Sequence, residues 1–261
     1  MRYIRLLWTQ IRLSMVLGMQ YRWEFLGSGA LALFWTAIGI VPLYIAFQSR
    51  PSIAGWSMEQ AVVVVGFFTA LKAILDGAVN PSLIFVVTQI RQGTLDFTLM
   101  KPADAQFLVS TAKFEVWRIL DLATAIALIA WAFARMGKTP DALHIALSIA
   151  LSASGALVLY SVWILVISAA FWVVRLDNLA FLFNSLIDFA RWPVSVFKGF
   201  WRVLFTFVFP LALMTTYPAQ AMLGSLSAQT ALLSFAGAFA FALFARLTWT
   251  RAIAHYTSAS S

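Results

Sequence analysis

The 261-residue sequence has no cysteine, only two histidines and only ten acidic residues. The missing cysteine excludes disulfides, thiol catalysis and thiolate metal sites. His144 and His255 fall on opposite faces of the membrane in the topology set out below, so no shared metal is expected. There is no His-Glu-x-x-His, and no Gly-x-x-x-x-Gly-Lys-Ser/Thr loop for holding a nucleotide. Charge is scarce, at 11% of residues, whereas soluble domains carry about 25%. Apolar and polar residues do not alternate in ~10-residue units, which argues against a barrel. No cleavable signal is evident, because Arg2, Arg5, Arg12 and Arg22 are too spread out to flank a short apolar core.

What remains is apolar. Hydrophobic residues make up 62% of the chain and the mean hydropathy is +0.88. They come in runs of the roughly 20 residues that a helix needs to cross a bilayer. Backbone groups in such runs must bond within their own segment, so the chain reads as an all-α membrane protein. Residues 1–24 are amphipathic, with Ile4, Leu7, Ile11 and Met15 near one face and arginines between them. That pattern predicts a helix lying in the membrane surface.

Residues 25–247 form a single transmembrane domain of about six spans. The first five are expected at 25–47, 60–79, 116–134, 142–174 and 178–192. A final span is expected at 226–247, before a cytoplasmic tail at 248–261 whose end, 256–261, is small and polar. Asn80 and Pro81 should kink or end the second span. Residues 193–224 are apolar yet broken by Pro193, Gly199, Pro210 and Pro218, so a clean crossing is not expected there.

The net charge is +8. The basic residues gather at the ends of apolar runs, as positive-inside topology requires, so a nucleic-acid patch is not indicated. Arg91, Lys101, Lys113, Arg118, Arg175, Arg246 and Arg251 share a side with the N-terminal arginines. That side is assigned to the cytoplasm, which places both termini there and the chain in the cell membrane as a multi-pass protein. Arg50, Arg135 and Lys138 then lie outside.

Charge within the spans is costly and often functional. Lys72 and Asp76 are spaced i,i+4, and Asp188 and Arg191 i,i+3, so each couple shares a helical face. Two readings are open: the pairs fix helix position near an interface, or they face a translocation path. Trp192 and Trp201 sit where an interfacial belt is expected. The Phe-rich composition suits lipid contact and core packing, or a wall that receives an apolar substrate.

The densest polar island is residues 90–102, Ile-Arg-Gln-Gly-Thr-Leu-Asp-Phe-Thr-Leu-Met-Lys-Pro. Its Gly93-Thr94-Leu95-Asp96 and Lys101-Pro102 resemble the first cytoplasmic loop of permeases of type-2 ABC (ABC-2) exporters. A second match is Arg191-Trp192-Pro193 with Tyr217-Pro218-Ala219. It resembles that family's proline-broken segment, which dips into the outer leaflet and returns, in a subgroup whose permeases are encoded as pairs. The resemblance implies a cytoplasmic coupling helix at about 89–104 and an outer re-entrant segment at about 193–224, marked by Pro193, Pro210, Tyr217 and Pro218.

The resemblance also implies partners: a dimer of ABC ATPase subunits, which would carry ATP and Mg, and a second permease, identical or similar. The permease itself would be non-catalytic and hold no cofactor. The loop would meet the ATPase through a two-turn helix, with Leu95 and Leu99 as an apolar knob framed by Arg91, Asp96 and Lys101. Gly93 would allow a tight entry, Thr94 belongs to the motif, and Pro102 would end the element. The implied activity is export of an amphipathic or apolar substrate at the permease dimer interface. Other readings stay open: a stand-alone ion-coupled transporter, for which Asp76 and Asp188 are the candidate groups, and a membrane anchor. A lipid-acting enzyme lacks an acid-base or metal constellation.

Overall fold

The computed structural model describes residues 2–20, 22–170 and 185–254. Among the described residues there is no β-strand, only an isolated bridge between Ile53 and Trp56. The chain is an all-α membrane protein. Among the described residues, five helical stretches are long and apolar enough to cross a bilayer: Gly27–Gln48, Met58–Gln92, Val116–Met136, Ala142–Ala169 and Ala228–Ala254. Residues 178–184 of the span expected at 178–192 lie outside the described residues, and the rest ends in a 3-10 turn at Asp188–Arg191.

Helix α1 (Arg2–Gln20) buries no side chain. Helix α2 (Arg22–Gln48) follows it. Helix α3 (Met58–Ile74) starts at a capping box, in which the Ser57 hydroxyl accepts from Gln60 N–H and the Gln60 side-chain oxygen accepts from Ser57 N–H. These bonds satisfy two backbone donors that a helix start otherwise leaves open. Residues 61–69 of α3 are all buried, as suits a helix that is apolar all round and central in its bundle.

The second span does not end at Asn80-Pro81. It widens into a π turn at Leu75–Val79 and continues as α4 (Asn80–Gln92). Pro81 lies in the first turn of α4, where proline removes no helical hydrogen bond. The wider turn leaves the Gly77 carbonyl to accept from Glu115 N–H at 2.8 Å. A single turn, α5 (Asp96–Leu99), and a short helix, α6 (Ala105–Ser110), then lead back to α7 (Ile119–Met136).

Gly66 lies against Ile129, and Gly77 against Arg118. Helix α7 therefore runs antiparallel to the second span. One end of the bundle carries the short loops 49–57, 137–141 and 223–227, and the opposite end carries residues 93–115. We call these the short-loop end and the basic end.

Helix α8 (Ala142–Ala170) is the long apolar block. Beyond Arg191 the chain breaks into short pieces: a 3-10 turn (Val194–Val196), α9 (Phe200–Val203), π turns at Leu204–Val208 and Ala212–Thr216, and α10 (Tyr217–Met222). This agrees with the expectation that prolines prevent one clean crossing here. The last helix, α11 (Ala228–Ala254), runs seven residues past the expected end at 247, so the tail begins as helix. Its Trp249 and Ala252 are buried, and that burial carries the helix on. Helices α8 and α11 leave the short-loop end side by side, since His144 packs against Gly224.

Candidate functional site

Two places gather the residues singled out above. The first is the turn at the basic end. Helix α4 stops at Gly93, whose φ of +66° is left-handed. Gly93 N–H bonds to the Ile90 carbonyl at 3.2 Å and Thr94 N–H to the Gln89 carbonyl at 2.9 Å, a Schellman ending. Glycine reaches that φ at little cost, so its place in the motif has a local reason.

The expected two-turn helix with a Leu95 and Leu99 knob is not what forms. Only one turn, α5, is helical, and Leu95 is 0% exposed. Leu95 belongs to the apolar cluster that includes Val86, Val109, Ile167 and Trp249, and Leu99 packs against the same cluster. The physical reason is burial: a leucine that can join an apolar core gains more there than at the surface. The exposed apolar groups are Phe97, at 67%, and Met100, at 72%. Arg91, Lys101 and Pro102 are exposed beside them, with Asp96 half-buried.

The return from this turn is tied down by polar contacts. Arg246 of α11 donates to both carboxylate oxygens of Asp104, at 2.6 and 3.2 Å, and to Gln106 Oε1 at 2.6 Å. Gln106 in turn donates to the Tyr160 hydroxyl of α8 at 2.9 Å, and that hydroxyl lies 2.7 Å from Ser110 Oγ. The Asp104 carboxyl is held below its ordinary value of 3.8, first by the Arg246 hydrogen bond, with burial opposing and Phe107 N–H adding to it. Helix α1 joins the same segment: Arg2 donates to the Pro102 carbonyl, and the Tyr3 ring meets Phe107 edge-on.

The second place is a charge network beside α3. Lys72 Nζ lies 3.6 Å from Asp76 and 3.9 Å from Asp188. Arg118 bridges Asp76 at 3.3 Å and Asp121 at 2.9 Å. The Lys72–Asp76 pair thus forms as its spacing suggests. Asp188 reaches across to α3, while the Arg191 guanidinium stacks over the Phe68 ring at 5.1 Å. Lys72, Arg118 and Arg191 line a cavity of about 370 Å³ between α2, α3 and the start of α7.

The broken segment holds Pro193 and Pro218 buried and Pro210 and Tyr217 half-buried. Trp56 Nε1 donates to Ser195 Oγ at 2.9 Å, tying it to the short-loop end.

A family model described as ABC-2 family transporter protein matches residues 33–260. The chain belongs to the ABC-2 transporter family. No curated protein and no solved structure matches it. An ABC-2 chain is a membrane transport component, and permeases of this family work with ABC ATPase partners.

Sequence reasoning about this ABC-2 chain missed Arg118 and Asp121, although their i,i+3 spacing was open to view. It also missed the joint of Asp104, Gln106, Tyr160 and Arg246. There the partners are 140 or more residues apart along the chain for Arg246, and no local signal pairs them.

Proposed function

We propose that this chain is the permease subunit of an ATP-driven exporter in the cell membrane. Its basic end faces the cytoplasm, as do both termini, and α1 lies in the membrane surface. Two permeases, identical or similar, work with a dimer of ABC ATPase subunits that hold ATP and Mg. The residue 89–104 segment couples the two kinds of subunit. Segment 193–224 re-enters the outer leaflet and closes the exit side. Substrate, an amphipathic or apolar molecule, passes between the permeases, with Lys72, Asp76, Asp188 and Arg191 near its path.

The observation that carries the coupling assignment is the shape of the turn. Leu95 is rooted in the core while Phe97 and Met100 stand out of it. A push on the exposed pair is passed to the ends of α8 and α11 through Leu95 and through the Asp104–Arg246 joint. Exposed apolar groups at a loop tip, beside basic residues, suit a protein partner.

The test is Phe97→Asp with Met100→Asp, co-expressed with the partner ATPase. The expected result is loss of ATPase co-purification and of permease-stimulated hydrolysis, with the permease still folded. Unchanged association would refute the coupling assignment. Ion-gradient-driven transport by this chain alone would replace the exporter reading with a secondary transporter.

A further inference from the structure

The cavity beside α3 has an unusual lining for its setting. Its walls are apolar and aromatic, with Leu31, Trp35, Phe68 and Trp117 among them. Three cations from separate parts of the chain converge on it: Lys72, Arg118 and Arg191. One lining carboxylate, Asp121, stands against them. It is 5% exposed and already held by Arg118 at 2.9 Å. Asp76 pairs with both Lys72 and Arg118, and Asp188 with Lys72, from just behind the lining. Among the described residues the lining itself carries three cations and one carboxylate, and Arg191 is the cation for which no ion pair is seen.

Two details show that this arrangement is built. Arg118 Nε is buried without an acceptor. The Arg191 guanidinium lies between the Phe68 ring and α2, where a Cβ at Gly39 would come 2.8 Å from Nη1. Glycine at 39 leaves room for a flat guanidinium in an apolar wall. Lys72 lies about 21 Å along the helix from Met58 at 1.5 Å per residue, inside a stretch long and apolar enough to cross a bilayer. Cations there are costly unless an anion meets them; Lys72 and Arg118 already meet carboxylates, whereas Arg191 lies on the Phe68 ring. On the open side, α2 exposes Leu31 and Trp35, the latter 60% exposed. The volume is in the range of small-ligand sites, about 300–1,000 Å³.

We infer that this cavity binds an amphiphile with an anionic head, a phosphate or carboxylate seated at Arg191, Lys72 and Arg118 with its apolar tail along Leu31 and Trp35. The ligand is either a resident bilayer phospholipid or a soluble single-chain amphiphile. Its role as cargo rests on the exporter reading; its binding does not.

The probe is radiolabelled dodecyl phosphate, bound to the full chain in dodecyl maltoside and read by scintillation proximity. Saturable binding is expected, displaced by unlabelled dodecyl phosphate and not by dodecyltrimethylammonium. Arg191→Gln should weaken it about tenfold, the scale of one lost charge-assisted contact, and Arg191→Lys less. Gly39→Ala keeps every charge and moves only the guanidinium, so it tests the geometry if Arg191→Gln fails to fold. It should weaken binding about threefold, a part of that same contact. Displacement by phosphatidylglycerol assigns the ligand to the bilayer, and its failure to displace assigns a soluble amphiphile; both support the anionic site. No saturable binding, equal displacement by the cationic probe, or unchanged affinity in both variants would overturn it. No ATPase is present, so this outcome is independent of the coupling test.

Discussion

Two returning segments, 93–115 at the basic end and 192–224 near the short-loop end, are both interrupted by glycine or proline, yet they are held by different chemistry. The first is fixed by a charged joint, Asp104 to Arg246, extended through Gln106 to Tyr160. The second is fixed by neutral groups. Thr215 Oγ1 donates to the Ala190 carbonyl at 2.7 Å, Thr216 Oγ1 accepts from Val194 N–H at 3.1 Å, and Phe189, Phe197 and Phe205 pack ring on ring. The difference follows from solvent. Asp104 and Arg246 are each about a third or more exposed, where water lowers the cost of holding charge. Residues 211–216 are wholly buried, where a hydroxyl that meets a carbonyl avoids the larger penalty of a charge. The charged joint can open and close at small cost, while the neutral segment is fixed by packing.

That contrast predicts a ranking of effects. The largest is expected from Gly155→Leu. A Cβ there would lie 2.8 Å from Met214 Cα and 3.0 Å from the Leu213 carbonyl oxygen, both backbone. Backbone cannot swing aside as a side chain does, so the cost should exceed the ~1–3 kcal/mol usual for overpacking. Size-exclusion chromatography in detergent should show loss of the folded species. A monodisperse variant with unchanged melting temperature would mean that α8 and the broken segment are not in close contact.

Next is Leu95→Ala, which removes a fully buried side chain from the root of the basic-end turn. About 2–5 kcal/mol of stability should be lost, the range for leucine truncation in a core. Denaturant or thermal unfolding followed by tryptophan fluorescence checks this. A loss near zero would return Leu95 to the surface knob of the sequence reading.

Thr215→Val should follow, at about 1–3 kcal/mol, because it leaves the buried Ala190 carbonyl without its donor. Thr215→Ser should recover most of that loss. If valine is neutral, the broken segment is held by ring packing alone.

The smallest effect is expected at the charged joint. Arg246→Gln should cost about 1 kcal/mol or less, as for exposed ion pairs. The Asp104 carboxyl titrates below its ordinary value in the folded chain, so its contribution is present above about pH 3.8 and fades as pH falls through the lower folded value. Asp104→Asn should therefore be less stable than the parent at neutral pH, and the two melting curves should converge as the pH is taken below about 3.8. A gap that persists in acid would mean that the ion pair is not its source.

Much of the frame was legible in the sequence. The apolar runs located the helices because bilayer thickness fixes how long such a run must be. The break at 193–224 was legible because proline lacks an N–H and fixes φ. Gly93 was singled out only as a tight entry to the loop; that it ends a helix at a left-handed position came from the structure. Asn80-Pro81, expected to kink or end the second span, does not end it: the helix loosens into a π turn just before and continues, since proline in a new first turn is tolerated. Local spacing found Lys72 with Asp76. It gave Asp188 to Arg191, and distance along the chain hid its contact with Lys72.

By itself, the sequence determined that this is an all-α membrane chain, which stretches are long and apolar enough to cross, and which segment proline breaks. Those properties follow from residue type and local backbone preference, which do not depend on neighbours in space. Only the tertiary structure decided that Leu95 is a root and Phe97 with Met100 the tip, that Arg246 locks Asp104, and that three cations share one cavity. Such pairings depend on which helices lie side by side, and residues more than a few turns apart along a helix carry no local mark of it.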